Sequence, residues 1–325
     1  MHGLYGLAGS IALASAIGIQ TTAAAQENNY PSRTVTIVVP LAPGGGVDMI
    51  ARLMADRLSQ SFGQSFIVDN KPGAAGNIGA EYVARTQPDG YTLLFTGNSH
   101  TVNPSLYTMR YDAKADFTPI ARVVETPQIL LVHSSVPAND LKDFLQYARA
   151  NPGKLNYGSA GVGSPSHIAG EMFKLAAGVD LTHVPYKGSG PATGDLLGGQ
   201  IQALFSSLPS AVPHLDGGKV KALGVSTSRR FETIPDVPTI DEAGVPGYRV
   251  DTWFGMLGPA GLPDAIRDRL AQEMATITAD PAFQKVVLDA GMETSVNTPL
   301  EFADMLNREF AEWPDIIEKT GIKAE

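Results

Sequence analysis

A glycine-rich turn between a predicted strand and a predicted helix carries the clearest chemical signal in the sequence. The β-branched run over residues 34–39 leads into Pro43, Gly44, Gly45 and Gly46. Glycine reaches positive φ without strain and exposes its N–H group to a ligand. The first turn of the following helix adds unpaired donors and the positive end of the helix dipole. The turn therefore predicts a site for an anion such as a carboxylate, although a plain strand-to-helix turn without a ligand has the same pattern.

The helix after this turn is predicted over residues 48–61. Apolar side chains recur there at three- and four-residue steps, and Gly63 can end the helix. Asp48 lies near the start, where acidic residues are favoured. We assign Asp48 to the helix start and not to the ligand, because its carboxylate would repel an anion.

A second strand–turn–helix unit of the same kind contains Ser159, Gly163 and Ser164, followed by His167 in the predicted helix. Ligands of open α/β sheets bind at the carboxyl ends of the strands, where both turns would lie. Two turns rich in donors predict two facing lobes with an anion between them.

A third polar loop contains Tyr186 and Lys187 and opens a helix with Pro191 and Ala192 near its start. Lys187 could pair with a carboxylate or remain a solvated charge. His167 could donate to an anion or only cap and pack its helix. Hydroxyl groups near the turns could be ligand donors or ordinary turn and cap residues; they belong to Ser99, Ser159 and Ser164.

The elements that must position these turns alternate along the chain. Strands are predicted at residues 34–39, 66–68, 92–95, 129–132, 155–157, 181–184, 201–205, 222–225 and 252–257. Helices are predicted at residues 48–61, 76–85, 140–149, 166–177, 191–198 and 209–215, with successive helices from residue 263 onward. This alternation indicates an α/β fold with a mainly parallel sheet and a C-terminal helical segment.

Composition excludes several classes of function. The net charge of −9 argues against nucleic acid or an anionic membrane surface as a partner. The absence of cysteine excludes disulfides, cysteine–zinc sites and thiol nucleophiles. With 325 residues and 43% hydrophobic content, the chain can bury two ordinary cores.

Residues 1–25 have the pattern of a cleaved export signal, although their start contains no Lys or Arg. An apolar run is followed by small residues that end at Ala25, near which we predict cleavage. The run is shorter than the roughly 20 residues that a membrane-spanning helix needs, which argues against an anchor.

The competing class is a serine hydrolase of α/β type acting on a carboxylic ester. Gly97-Asn98-Ser99-His100-Thr101 approaches a nucleophile elbow, but Thr101 replaces the final glycine. The third glycine of a dinucleotide-binding motif is also missing, and no Walker loop or His-Glu-x-x-His pair occurs. We therefore expect no catalytic residues, no metal site and no cofactor.

Six stretches in order resemble the periplasmic solute-binding proteins of tripartite tricarboxylate transporters, the Bug family. The resemblance covers essentially the whole chain after the predicted signal. It is carried by residues 43–48, 71–79, 88–93, 157–167, 184–188 and 235–244, which include Pro43-Gly44-Gly45, Lys71-Pro72-Gly73, Pro88-Asp89-Gly90, Tyr157-Gly158-Ser159, Pro185-Tyr186-Lys187 and Pro235-Asp236-Val237-Pro238.

The resemblance implies a two-lobed Venus-flytrap fold of type II-like form that closes on a carboxylate. Lobe 1 would comprise residues 27–124 and 249–325, and lobe 2 residues 125–248, joined by two crossing strands. The ligand would be a di- or tricarboxylate, an acidic amino acid or an aromatic carboxylate, delivered by a monomeric protein to membrane permease subunits. The implied ligand contacts are Pro43, Gly44, Gly45, Gly46, Asn98, Ser99, Ser159, Gly163, Ser164, His167, Tyr186, Lys187, Pro191 and Ala192.

Overall fold

The computed structural model describes residues 30–186, 188–295 and 297–323. The predicted export signal and Lys187 lie outside the described residues. The strands are β1 Val35–Val39, β2 Phe66–Asn70, β3 Thr92–Gly97, β4 Phe117–His133, β5 Asn156–Ser159, β6 Thr182–Pro185, β7 Ala203–Ser207, β8 Val220–Val225, β9 Asp251–Pro259 and β10 Glu293–Thr294. The α-helices are α1 Gly46–Phe62, α2 Asn77–Ala84, α3 Ser99–Leu106, α4 Leu141–Ala150, α5 Pro165–Ala177, α6 Ser189–Leu197, α7 Leu208–Ala211, α8 Asp264–Ala279, α9 Pro281–Asp289 and α10 Pro299–Thr320.

Helix ends follow local chemistry. Gly63 ends α1 in the left-handed conformation with φ of 65°, as expected for glycine. Ser164 caps α5 by accepting from the His167 amide. Thr298 and Glu301 form a reciprocal capping box at the start of α10. The helix predicted over residues 209–215 is instead the short α7 followed by a 3₁₀ turn, and α3 was not predicted.

The sheet is mixed, so the prediction of a mainly parallel sheet was wrong. β1 pairs in parallel with β2 and β3, and β5 pairs in parallel with β6 and β7. The long strands β4 and β9 run antiparallel to their neighbours. Parallel neighbours are joined by a connection, usually a helix, that brings the chain back to the same end of the sheet. β4 and β9 instead carry the chain directly between the two halves of the sheet, so they run antiparallel to their neighbours.

β4 crosses from one half of the sheet to the other. Its residues 117–127 pair with β9, and its residues 128–132 pair with β7. A second crossing is held by Ser226, whose amide donates to the Gln128 carbonyl over 2.8 Å. The Ser226 hydroxyl donates to the Val250 carbonyl over 2.6 Å. The two crossings lie side by side, and the strands β4 and β9 at this place are named the hinge strands.

Helix α10 packs against two of the four core regions formed by the described residues. Phe302 and Leu306 in its first half lie in a core with Trp253 of β9. Trp313 and Ile317 in its second half lie in the core of the β5–β8 half. No helix among residues 30–186, 188–295 and 297–323 is long and apolar enough to cross a membrane.

Candidate binding cavity

A cavity of about 540 Å³ lies between the two halves of the molecule, beside the hinge strands. Residues from both halves and from β4 and β9 line it: Gly44, Gly45, Gly46, Met49, Thr126, Gln128, Ala160, Pro165, Ser166, Ser189, Ser207, Pro209, Ser210, Thr252, Phe254, Ala290 and Met292. Its size suits one small organic molecule.

The β1–α1 turn forms one wall, as the glycine pattern predicted. Gly44 has φ of 89°, a conformation that disfavours other residues. Its amide donates to the Asp48 carboxylate over 2.9 Å, and the Arg52 guanidinium donates to the same oxygen over 3.1 Å. The Arg52 hydrogen bond lowers the pKa of Asp48 to about 2. Asp48 therefore shapes the turn, while a side chain on Gly45 would meet no atom within 4 Å.

The β5–α5 turn forms the facing wall. Ser166 lines the cavity, and its hydroxyl accepts from the Ala160 amide over 2.9 Å. The Ser164 hydroxyl donates to the Gly161 carbonyl over 2.7 Å. The Gly163 amide donates to Nδ1 of His167 over 3.0 Å. Ser164 and Gly163 thus have partners within the turn, and Ala160, Pro165 and Ser166 are the residues of this segment on the cavity wall.

Three helices of nine residues or more, α1, α5 and α6, begin at the cavity, and the four-residue α7 begins beside them. Lining residues lie at or next to the N-termini of α1, α5, α6 and α7. Ser189 is the first residue of α6, and Ser207 is the N-cap of α7, 3.1 Å from Ser210 through their hydroxyl oxygens. Helix N-termini carry unpaired N–H groups and a partial positive charge, so their convergence favours an anion.

The crossing strands form the remaining surface with both polar and apolar groups. The Gln128 amide donates to the Thr252 hydroxyl over 3.3 Å. Phe254 and Met292 contribute apolar surface. Among the described residues that line the cavity, none carries a charged side chain. An anion here would be held by amide dipoles and hydroxyl groups, and its carbon skeleton would meet apolar walls.

His167 is buried behind the facing wall, and its ring stacks on that of the partly buried His183. The Ser159 hydroxyl lies 2.7 Å from Nε2 of His183. Burial lowers the pKa of both imidazoles, that of His183 to about 3. Both rings are therefore neutral at pH 7, and together with Ser159 they support the turn.

The other residues predicted as ligand contacts are placed away from the described lining. Asn98 is buried and bonds the hinge strand: its amide donates to the Asp251 carbonyl, and its carbonyl oxygen accepts from the Trp253 amide. The Tyr186 hydroxyl donates to Asp195 over 2.7 Å. Pro43, Ser99, Pro191 and Ala192 also lie outside the described lining. Direct contact of these residues with a ligand stays a prediction.

Several lining residues were not anticipated from the sequence. Ser207, Pro209 and Ser210 follow a predicted strand and open a predicted helix, so the same turn chemistry could have identified them. Thr126, Gln128 and Thr252 lie within strands and carry no comparable local signal, because only the pairing of β4 with β9 brings them together.

The structure gives no support for the hydrolase motif at Ser99 and His100. His100 is buried against Phe117, with ring centroids 4.8 Å apart. Neither ring nitrogen of His100 has a hydrogen-bond partner within the described part of the chain. Burial lowers the pKa of His100 to about 4. The ring is a core element and does not reach the serine as a base.

Comparison with known proteins gives one consistent match. A family profile described as "Tripartite tricarboxylate transporter family receptor", TctC, matches residues 50–322. The UPF0065 protein in the tcbD-tcbE intergenic region of Pseudomonas sp. (strain P51) is 36% identical over 314 residues, covering 96% of this chain and 94% of the relative.

Two solved structures share the architecture. The structure of R. palustris Rpa4515 with adipate is 38% identical with a TM-score of 0.78, covering 90% of this chain and 99% of that one. The periplasmic binding protein BugD is 36% identical with a TM-score of 0.74, covering 91% and 100%. The mixed α/β architecture with its C-terminal helix is therefore a periplasmic-binding-protein fold, as the sequence predicted.

Proposed function

The chain belongs to the TctC family of tripartite tricarboxylate transporter receptors, and on that basis we propose that it captures a small organic carboxylate and delivers it to the membrane permease of such a transporter. Members of this family are binding proteins of transporters and not enzymes, so the chain is a solute-binding protein. The ligand class, the permease and the periplasmic location are the parts that we propose.

The observation that supports a carboxylate is the convergence of the N-termini of α1, α5 and α6 on a cavity whose described lining is uncharged. A buried anion needs hydrogen-bond donors, and backbone amides, serine hydroxyls and helix dipoles supply them. The overall charge of −9 opposes an anion at long range. Selectivity must then come from these local donors.

The walls favour a carboxylate with an apolar body. Met49, Phe254, Ala290 and Met292 supply apolar surface to the cavity. No described lining residue is acidic, so nothing there would balance the ammonium group of an amino acid. We therefore place aliphatic diacids and aromatic carboxylates ahead of citrate and acidic amino acids. Rpa4515, which was solved with adipate, is consistent with this order.

We also propose that the two halves act as closing lobes, with lobe 1 at residues 27–124 and 249–325 and lobe 2 at residues 125–248. The crossings at Gln128, Ser226 and Val250 would be the hinge. Helix α10 packs on both cores, so its second half would move relative to one of them during closure. Capture would occur in the periplasm by a monomer after removal of residues 1–25.

A thermal-shift screen tests the proposal. The panel contains aliphatic C4 to C8 diacids, benzene carboxylates, citrate and acidic amino acids, with the corresponding neutral amides as controls. A ligand at a hundredfold excess over its Kd stabilises the protein by about 2.7 kcal/mol. We expect a carboxylate to raise the Tm while its amide does not.

A panel in which no carboxylate moves the Tm contradicts the proposal. Incubation with the methyl ester of the bound carboxylate separates binding from the hydrolase alternative. The proposal requires the ester to return unaltered, and its conversion to the acid would indicate an enzyme.

A further inference from the structure

Four polar side chains form the floor of the cavity, on one face of the strands that cross between the two halves of the sheet. Two of them, Thr126 and Thr252, are directly paired across β4 and β9. The other two, Gln128 and Ser207, are directly paired across β4 and β7. All four line the cavity. Because paired residues point to the same face of a sheet, these side chains lie next to one another.

The Gln128 side chain has one polar atom without a partner. The residue is only 2% exposed, and its Oε1 accepts no hydrogen bond from any residue that the structure describes. The amide nitrogen of the same side chain donates to the Thr252 hydroxyl over 3.3 Å. Buried polar atoms in proteins are nearly always paired, so this oxygen indicates a place where a donor from outside the chain binds.

The hydroxyl groups around Gln128 differ in what they still offer to a ligand. The Thr126 hydroxyl donates to the Gly291 carbonyl over 3.3 Å, and the hydroxyl oxygens of Ser207 and Ser210 lie 3.1 Å apart. In the hydrogen bonds formed by the described residues, the Thr252 hydroxyl only accepts, so its proton is free. The floor therefore presents one acceptor, Gln128 Oε1, close to one donor, the Thr252 hydroxyl.

An acceptor close to a donor is the complement of a hydroxyl group. A ligand hydroxyl can donate its proton to Gln128 and accept the proton of Thr252 through its oxygen. A carboxylate only accepts, so it would leave Gln128 Oε1 unpaired and bring negative charge towards it. An ammonium group only donates, and no acidic residue of the described lining balances its charge.

We propose that Gln128 selects a hydroxylated carboxylate, its Oε1 accepting the proton of the ligand's hydroxyl group. This proposal rests on the proposed function, and it narrows the ligand to an aliphatic diacid or aromatic carboxylate that carries a hydroxyl. The carboxylate would bind at the N-termini of α1, α5 and α6, and the hydroxyl would bind at the floor. The apolar body would contact Phe254 and Met292, which also line the cavity.

The test measures the Kd by isothermal titration calorimetry for carboxylates that differ by one hydroxyl. The sets are adipate with 2-hydroxyadipate, succinate with malate, and benzoate with its three monohydroxy derivatives, each chiral compound as separate enantiomers. For the wild-type protein we expect at least one hydroxylated compound to bind about tenfold more tightly than its parent, because it adds one hydrogen bond to a buried partner. This comparison needs no variant.

Two variants assign the preference to Gln128. Gln128→Met keeps the length of the side chain and removes its amide. We expect it to reduce the ratio of the two Kd values to less than about threefold, with little change in the Kd of the parent compound. Ser207→Ala is the matched control, because Ser207 is paired with Gln128 on the floor and its hydroxyl already has a partner in Ser210. This control should keep the wild-type ratio.

Three results would overturn the assignment and leave carboxylate binding intact. The first is that no hydroxylated compound binds more tightly than its parent. The second is an unchanged ratio in Gln128→Met. The third is equal weakening of both compounds in that variant, because Gln128 would then contact a group that both compounds share. Absence of binding by every carboxylate overturns both proposals.

Discussion

The imidazole rings of His167 and His183 stack face to face, with centroids 3.9 Å apart and planes 12° apart. His167 accepts from the Gly163 amide, and His183 contacts the Ser159 hydroxyl. The two neutral rings therefore support the β5–α5 turn through these contacts. A protonated ring would place an uncompensated charge in this stack, which is largely removed from solvent at His167.

The histidine pair predicts a loss of stability in acid. Because burial lowers the pKa of His183 to about 3, its contribution is fully present above the unfolded pKa of about 6.5 and is lost as the pH falls towards 3. His183→Phe keeps a flat ring between Tyr157 and His167 but cannot be protonated. We expect the Tm of the wild-type protein to fall more between pH 7.5 and 5 than that of the variant. Equal decreases would mean that this histidine does not control acid stability.

Replacement of Gly45 should weaken ligand binding without a large loss of folding stability. Its φ of −81° and ψ of 170° suit any residue, and an added Cβ meets no atom within 4 Å. Gly45→Val should therefore cost no more than about 1 kcal/mol in the free energy of unfolding, because valine is a poorer N-cap for α1 than glycine. The valine side chain would keep the carboxylate from the backbone amides, and we expect at least about a tenfold rise in Kd by calorimetry. Gly217→Val, at an exposed site away from the cavity, is the matched control. Unchanged affinity in Gly45→Val would mean that the turn has only a structural role.

Because the described lining of the cavity is uncharged, one added cationic side chain should change which carboxylate the protein prefers. Met49 lies on the cavity wall in the first turn of α1. Met49→Lys should raise the affinity for citrate relative to benzoate about three- to tenfold, because the ammonium attracts the more highly charged anion. Met49→Gln controls for side-chain length and polarity. A ratio of the two Kd values that is the same in all three proteins would place the carboxylate elsewhere.

We predict that Asn98 has a structural role beside hinge strand β9. Its side chain bonds the Asp251 carbonyl over 2.9 Å and the Trp253 amide over 3.0 Å, where it extends the pairing of β3 with β9. Asn98→Ala leaves both groups unpaired and should cost about 1–3 kcal/mol in urea unfolding. Ser99→Ala, which removes the neighbouring hydroxyl, should change stability by less than about 0.5 kcal/mol. A loss of affinity without loss of stability in Asn98→Ala would instead support direct ligand contact.

Local sequence alone determined the turns and most of the helices. The glycines at residues 44–46 form the tight turn expected from the sequence, and the structure places them on the cavity wall. Ser164 caps α5 through its hydroxyl, and Gly63 ends α1 because glycine adopts a positive φ without strain. These features depend on residues close in sequence, so a single chain segment is enough to predict them.

Tertiary structure decided the rest of the cavity and the connection between its two sides. Thr126 and Thr252 meet only because β4 pairs with β9 across more than a hundred residues. Glu309 meets Thr101 and Trp253 only because α10 returns over the hinge. Such contacts depend on strand order and helix packing, and a glutamate on an amphipathic helix has the same local pattern whether it faces water or a buried indole. The sequence therefore predicted where an anion could bind, and the packing of distant elements decided which groups surround it.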